Sequence, residues 1–222
     1  MPALKINVTG KSSVNHAPER CTLKFSVKTN GPQQESVAKD VTLAANDLQQ
    51  WFKQFHSSGE ASTTEHPVTK FSTSNIKAWE RPRDDDGKPV TNPYHASITF
   101  TAVFRDFLAM GKVVSELLAY PNVEIASIDW RLTDETGKRL SSDTRKLALR
   151  DAIQQADDLS EVLGRNVVAV EVSDSGYPRA PMHRYMMAAD VGGRHRNEPV
   201  TLDLTPQEIE VETSLQVTFE AV

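Results

Sequence analysis

Hydrophobic and polar residues alternate over the first thirty positions of the chain. The first run, from Ile6 to Val8, ends at Gly10. After a turn at Pro18, every second residue from Cys21 to Val27 is apolar, and lysine or hydroxyl side chains separate them. Alternation of this kind is typical of strands with one buried face. The pattern predicts two half-buried strands.

The next segment has helical periodicity. It opens at Gly31-Pro32, and its apolar residues recur every three or four positions. They are Val37, Val41, Ala44, Leu48, Trp51, Phe52 and Phe55. This spacing predicts a long amphipathic helix that ends before Gly59.

A hairpin and a second helix are predicted next. Residues 71–80 and 94–104 have the character of strands, and residues 81–93 join them. That connection contains Asp84-Asp85-Asp86-Gly87 and three prolines, a composition typical of an exposed loop. A helix should follow from about Asp106 to Tyr120, where Pro121 ends it.

The remaining elements repeat this alternation of strands and helices. Strands are predicted at 125–132 and 167–172, and a third helix before them has Gly164 as its C-cap. The apolar stripe of that helix is Leu147, Ala148, Ala152, Ala156, Leu159, Val162 and Leu163. A final strand has its apolar residues only at odd positions: Ile209, Val211, Leu215, Val217 and Phe219. Its odd-numbered face should be buried against helices.

The order of these elements predicts an α+β fold. We expect an antiparallel sheet built from two β-α-β-β-like halves, with long helices packed on one face. We treat residues 1–222 as a single domain. Residues 174–206 lack periodicity, and we expect them to form a mobile insertion.

Charge and cysteine content narrow the functional classes. The net charge is -5, which gives no electrostatic reason to expect binding to nucleic acid or to an anionic membrane. The chain has no apolar run long enough to span a bilayer, and its start lacks the features of a signal peptide. Cys21 is the only cysteine, as expected in a reducing compartment. We therefore expect a cytoplasmic protein, and the same features are compatible with a nuclear location.

Motifs that could carry chemistry have simpler structural explanations. Gly10-Lys11-Ser12 resembles the end of a phosphate-binding loop, but Lys5 occupies the position of the required glycine. The acidic run at 84–86 lacks the ligand spacing of a calcium loop. Cys21 shares the parity of the core-facing residues on its strand, which predicts a buried and unreactive thiol.

The histidines and tryptophans also suggest no site. His183 and His195 lie far apart in the chain, and no second cysteine could complete a zinc site. Trp51, Trp79 and Trp130 fall in separate elements, so core or sheet-face positions are favoured over a base-stacking platform. We therefore expect no catalytic, cofactor-binding or metal-binding residue, and no cofactor.

The segment from Tyr177 to Asn197 is locally basic within an acidic chain. Its charged and adaptable residues are Arg179, His183, Arg184, Tyr185, Met186, Met187, Arg194, His195 and Arg196. A solvated insertion without a ligand accounts for this composition. The alternative is a contact surface for an acidic protein partner.

Three stretches resemble the SIMPL-domain (DUF541) family. The first is Ile6-x-Val8-x-Gly10 together with Pro18-Glu19-x-Cys21-x-Leu23-x-Phe25-x-Val27, which is similar to the opening strand pair of the family. The second is the Ala-rich helix over 143–164 and the strand after it, with Gln155 where the family commonly has Lys and Ser160 where it commonly has Ala. The third is Pro206-x-x-Ile209-x-Val211 continuing to Phe219. The resemblance implies an α+β fold and a single SIMPL domain, without a catalytic mechanism.

Two classes of function remain open at this stage. The resemblance and the basic segment favour a non-enzymatic binding or scaffold protein that acts through protein–protein contacts. The alternative is an enzyme or small-ligand carrier that uses a groove between helices and sheet. A filled helix–sheet interface would favour the scaffold, and a pocket with convergent polar residues would favour the alternative. We also expect a homo-oligomer, a dimer or a larger ring, formed through the face of a hairpin or through an exposed sheet edge at 71–80 or 94–104 if those strands lie at an edge.

Overall fold

The computed structural model describes residues 4–56, 66–174 and 204–221. In chain order the elements are β1 (Lys5–His16), β2 (Arg20–Gly31), α1 (Gln34–His56), β3 (Val68–Thr73), β4 (Lys77–Glu80), β5 (Tyr94–Phe104), α2 (Phe107–Ala119), β6 (Val123–Arg131), α3 (Asp134–Leu163), β7 (Val167–Asp174) and β8 (Ile209–Ala221). Every strand pair in the described residues is antiparallel. The predicted α+β class is confirmed.

Local capping groups set the helix ends. The Asp106 carboxylate accepts hydrogen bonds from the amides of Leu108 and Ala109, at 2.9 and 3.0 Å, so α2 begins directly after it. Thr133 caps the start of α3 with its hydroxyl. Gly164 ends α3 with φ +63°, a conformation that glycine adopts without the strain a side chain would add. The predicted C-cap is confirmed.

The strands form two sheets, whereas one sheet was expected. By proximity of their Cα atoms, the elements fall into two compact units. The first unit contains β1, α3, β7 and β8, and its sheet has the order β1-β8-β7. Ile6 lies opposite Phe219 and His16 opposite Ile209, so β1 and β8 pair along their whole length. The strand β1 therefore does not end at Gly10, and it pairs with β8 instead of β2.

The second unit contains β2 to β6 with α1 and α2. Its strand order is β3-β5-β2-β6, and β4 also pairs with β5. The strand predicted over 71–80 is interrupted and forms two strands, β3 and β4. Regular pairing with β5 stops at Ser74, because the Ser74 side chain takes over one of the backbone hydrogen bonds. Ser74 donates through its amide to the carbonyl oxygen of Thr99 at 2.8 Å, and its hydroxyl accepts from the Thr99 amide at 3.1 Å. The hairpin is confirmed, but β5 lies inside the sheet and cannot offer a free edge.

The two units share one topology. In the second unit, β2 leads to α1, then β3, then β5, and β5 lies between the other two strands. In the first unit, β1 is followed later by α3, β7 and β8, and β8 again lies in the middle. The two β-α-β-β halves therefore exist, but the first strand of the later half is β1. The strand expected in that role, β6, pairs with β2 instead.

Stacked aromatic rings fill the helix–sheet interface of the second unit. Phe25 of β2 stacks on Phe52 of α1 and on Phe100 of β5, with ring centroids 5.4 and 5.0 Å apart. Phe71 also stacks on Phe52, with ring centroids 4.6 Å apart. Burial of such rings stabilises a core by roughly 1.5–3 kcal/mol per side chain. The rings hold α1 against the centre of the sheet.

Small residues form the corresponding interface of the first unit. Ala148, Ala152 and Ala156 of α3 are fully buried against the sheet. A Cβ atom placed on Gly10 would lie 1.9 Å from the carbonyl oxygen of Ala148, so only glycine fits there. On β8, the odd-numbered residues predicted to be core-facing are buried or half-buried, and Glu210, Glu212 and Gln216 are exposed. The predicted register of this strand is confirmed.

Candidate functional site

The two edges of the sheet in the first unit differ in what covers them. At the β1 edge, the Lys11 amide donates to Asp151 Oδ2 of α3 at 2.8 Å. Gln155 Nε2 donates to the carbonyl oxygen of Thr9 at 3.2 Å and to Asp151 Oδ2 at 2.8 Å. Two side chains of α3 thus bind backbone groups that a pairing strand would need.

The opposite edge is formed by β7 and carries exposed apolar side chains. Val168, Val170 and Val172 are 53%, 52% and 53% exposed. In the described part of the chain β7 pairs with β8 alone, and a bulge at Val170 interrupts that ladder. We call these three valines and the outer backbone edge of their strand the β7 surface. Exposed apolar strand edges are templates for pairing with another chain.

The last turns of α3 extend this apolar character. Leu159, Val162 and Leu163 were expected to be buried with the rest of the apolar stripe, as was Leu147, but all four are exposed. Val162 is the most exposed of them at 86%. The buried stripe instead runs through Leu140, Thr144 and the three alanines. The helix therefore presents apolar side chains next in sequence to the β7 surface.

A pocket of about 240 Å³ lies in the second unit between the first turn of α1 and the hairpin of β4 and β5. Small apolar side chains form much of its wall: Val37 and Ala38 from α1, and Ala78 and Ala96 from the hairpin. Ala78 lies opposite Ala96 in the ladder, and Ala96 belongs to the buried core. Three alanines leave space that larger side chains would fill.

Polar and aromatic groups complete this pocket. Gln34, Glu80 and Tyr94 line it, and Glu80 lies opposite Tyr94 in the ladder. Strand alternation places both on the same face as Ala78 and Ala96, toward α1. Trp79 and His95 lie between these positions, and their rings stack at 5.4 Å. The arrangement can bind a small ligand with one apolar and one polar end.

Cys21 is buried, as predicted. It lies between Phe104 and Trp130 in the sheet and has no exposed surface. Burial and, to a smaller extent, the nearby Asp129 carboxylate together raise the pKa of its thiol to about 12. The thiolate, which is the reactive form, is therefore strongly disfavoured at neutral pH.

The structure gives the other sequence candidates structural roles. Gly10-Lys11-Ser12 lies in the middle of β1, and the Ser12 hydroxyl donates to the carbonyl oxygen of Thr144 at 2.8 Å. Asp84 stabilises the loop in which it lies, because its Oδ1 accepts hydrogen bonds from the backbone amides of Asp86 and Lys88 at 3.0 and 2.8 Å. Within the described residues no cluster of His, Cys, Asp or Glu has the arrangement of a metal site.

The tryptophans belong to three different elements of the second unit, α1, β4 and β6. Trp51 and Trp130 pack against its core, while Trp79 is 46% exposed. The segment from Tyr177 to Asn197, with His183 and His195, falls outside the described residues, as does most of the insertion expected over 174–206. Within the described part, no helix combines the length and apolarity that a bilayer crossing requires.

Sequence reasoning missed both the β7 surface and the pocket. The valines of β7 were recognised as a strand, but a strand at an edge and one in the interior have the same local pattern. The pocket depends on small residues from two distant segments, and an alanine in a sequence does not reveal whether space lies beside it.

Comparison with known families assigns nearly the whole described fold to one family model. The model of the SIMPL family, described as a protein of unknown function (DUF541), matches residues 6–219. These bounds run from the start of β1 to the end of β8, and Ile6 and Phe219 are partners in the sheet. No curated protein matches the chain significantly.

Proposed function

The chain belongs to the SIMPL (DUF541) family, and from that premise we propose that it is a binding or scaffold protein that acts through protein–protein contacts at the β7 surface. The observation that carries this proposal is the exposure of Val168, Val170 and Val172 on an edge strand. Soluble proteins usually protect such edges with charges, prolines or covering side chains. Here α3 covers the β1 edge, whereas between Val167 and Ser173 the β7 edge has only the bulge at Val170 and the exposed Glu171 as protection.

The occupant we propose is a second copy of the chain, paired antiparallel through β7. Two-fold pairing brings the basic start of the strand, at Arg165, near the acidic end of its partner copy, at Asp174, which also forms an ion pair with Arg145 of α3 at 3.5 Å. The bulge places Val168 opposite Glu220 and Val172 opposite Val217, so these two valines lie on opposite faces of the sheet and each face of the pairing has an apolar side chain. The strand is therefore complementary to a second copy in charge at its ends. Such a homo-oligomer would use β7, not the edges at 71–80 or 94–104 expected earlier.

Stacked phenylalanines fill the interface between α1 and the centre of the sheet in the second unit. This supports a scaffold function, because a carrier that held its ligand there would need an open groove at that place. The cytosol is the compartment in which we propose that it acts, because its lone cysteine is a buried thiol. A contact between the segment 177–197 and an acidic protein is a further part of this proposal.

Light scattering of the purified chain at increasing concentration tests the proposal. We expect a dimer or larger assembly that the double variant Val168→Lys/Val170→Lys converts to a monomer, since charges block edge pairing. The control is Leu108→Lys, because Leu108 is a highly exposed residue of α2 in the other unit. A monomer at every concentration, or an assembly that both variants retain, would overturn pairing through β7.

A further inference from the structure

The pocket beside Glu80 combines features that select one class of ligand. Glu80 supplies a carboxylate, and neither Lys nor Arg is among the described residues that line the pocket. The next residue, Arg81, forms an ion pair with Asp85. The Glu80 side chain makes no ion pair or hydrogen bond with any described residue. The pocket therefore offers a solvent-exposed carboxylate that no described side chain neutralises.

Two further polar residues line the same pocket. Within the described part of the chain, neither the Gln34 amide nor the Tyr94 hydroxyl makes a side-chain hydrogen bond. They come from different elements, one from α1 and one from β5. Together with Glu80 they give the lining of the pocket several acceptor atoms. An ammonium group, which donates three hydrogen bonds, matches such a set.

Apolar and aromatic surface occupies the rest of the wall. Ala38 and Ala78 provide contacts for a short alkyl chain. Tyr94 adds an aromatic ring to the lining, and aromatic rings attract cations through their electron-rich faces. The volume of about 240 Å³ is below the usual range for drug-sized ligands, so the occupant must be small.

We propose that this pocket is a binding site for a small organic cation, an alkylammonium whose charged end contacts Glu80 and Tyr94 and whose alkyl chain lies against Ala38 and Ala78. Gly31 supports this geometry. It lies opposite Tyr94 in the ladder, and a Cβ there would come within 2.9 Å of Val37 Cγ2. Glycine thus allows the first turn of α1 to approach the hairpin and close the pocket.

Three ligands of matched shape test the charge preference: n-butylammonium, 1-butanol and butyrate. Binding is followed by NMR titration of the full chain, with the backbone amide signals of Tyr94 and Ala96 as reporters and the indole N–H signals of Trp51 and Trp130 as internal references. We expect n-butylammonium to shift the two amide signals with a dissociation constant on the order of 1 mM, typical of so small a ligand. Butyrate should leave them unchanged, and butanol should bind at least about tenfold more weakly.

Two variants separate charge from shape. Glu80→Gln keeps the size of the side chain and should weaken n-butylammonium binding about tenfold, as loss of a charge-assisted hydrogen bond predicts. Ala78→Leu fills the pocket and should abolish binding, with an otherwise unchanged amide spectrum as proof of folding. Glu116→Gln is the matched control, because it removes one negative charge from the exposed face of α2. Absence of binding at tens of millimolar, equal binding of butyrate, or full binding by Glu80→Gln would overturn the proposal.

Discussion

Gly10 of β1 and Ala148 of α3 approach so closely that a Cβ on Gly10 would lie 1.9 Å from the Ala148 carbonyl oxygen and 2.7 Å from the Ala152 amide nitrogen. Both neighbours are backbone atoms, which a rotamer change cannot move. We predict that Gly10→Ala lowers the free energy of unfolding by about 3 kcal/mol, at the upper end of typical overpacking costs. Urea unfolding measures the change.

The control for this prediction is Gly137→Ala in α3, where an added Cβ meets nothing within 4 Å. Alanine is the better helix former, so Gly137→Ala should stabilise the protein by up to about 1 kcal/mol. If Gly10→Ala were as harmless as Gly137→Ala, the close packing of α3 on β1 would be wrong.

Coverage of the β1 edge by α3 gives a second prediction. Asp151→Ala removes the acceptor of the Lys11 amide, which should then exchange with solvent faster by about tenfold. Hydrogen exchange followed by NMR reads out this amide directly. Asp157→Ala is the control, because Asp157 lies exposed on the same helix. Unchanged exchange at Lys11 in Asp151→Ala would contradict the proposed coverage.

The raised pKa of Cys21 has a consequence for stability at alkaline pH. The folded chain keeps its thiol proton up to about pH 12, whereas the ordinary thiol pKa is 9.0, so above that value the unfolded state binds fewer protons. Stability must therefore fall as pH rises from 9 toward 12, by up to about 1.4 kcal/mol per pH unit from this group. Below pH 9 the group contributes no pH dependence.

Comparison with Cys21→Ala isolates this effect, because lysines and tyrosines titrate in the same range in both proteins. We expect the wild type to lose stability more steeply than Cys21→Ala between pH 9 and pH 11 in urea unfolding. The native thiol should also react slowly with thiol reagents and react fast after denaturation. Equal slopes, or rapid labelling of the native protein, would contradict burial of the thiol.

The interior position of β5 predicts how Thr99→Pro behaves. Proline removes the Thr99 amide, which donates to Ser74 Oγ, and its ring disturbs a strand paired on both sides. We expect a loss of about 3 kcal/mol or more in unfolding free energy, with no selective effect on assembly. Circular dichroism and light scattering on one sample distinguish the outcomes. If the wild type is oligomeric and Thr99→Pro is a stably folded monomer, β5 would be an assembly interface and its interior position would be wrong.

Much of the fold was predictable because burial leaves a periodic trace in the sequence. The odd-numbered residues of β8 and the apolar residues of α1 show that trace clearly, and both elements formed as expected. Long-range pairing leaves no such trace. Nothing local to Gly10 distinguishes a strand end from a close contact with Ala148, and nothing local to β6 indicates that it joins β2. The sites were missed for the same reason, since exposure at Val168 and space beside Ala78 depend on distant residues.

The pairing of β1 with β8 also determines when each part of the chain can fold during synthesis. The second unit comes mainly from one continuous stretch, from β2 to β6, so it can form soon after β6 leaves the ribosome. The strand β1 must wait without its partner until β8 is made at the other end of the chain. Its edge-covering helix α3 is made well before β8. In the interval that helix is the main native partner of β1 among the described elements of the first unit, and it can protect the nascent strand from pairing with other chains.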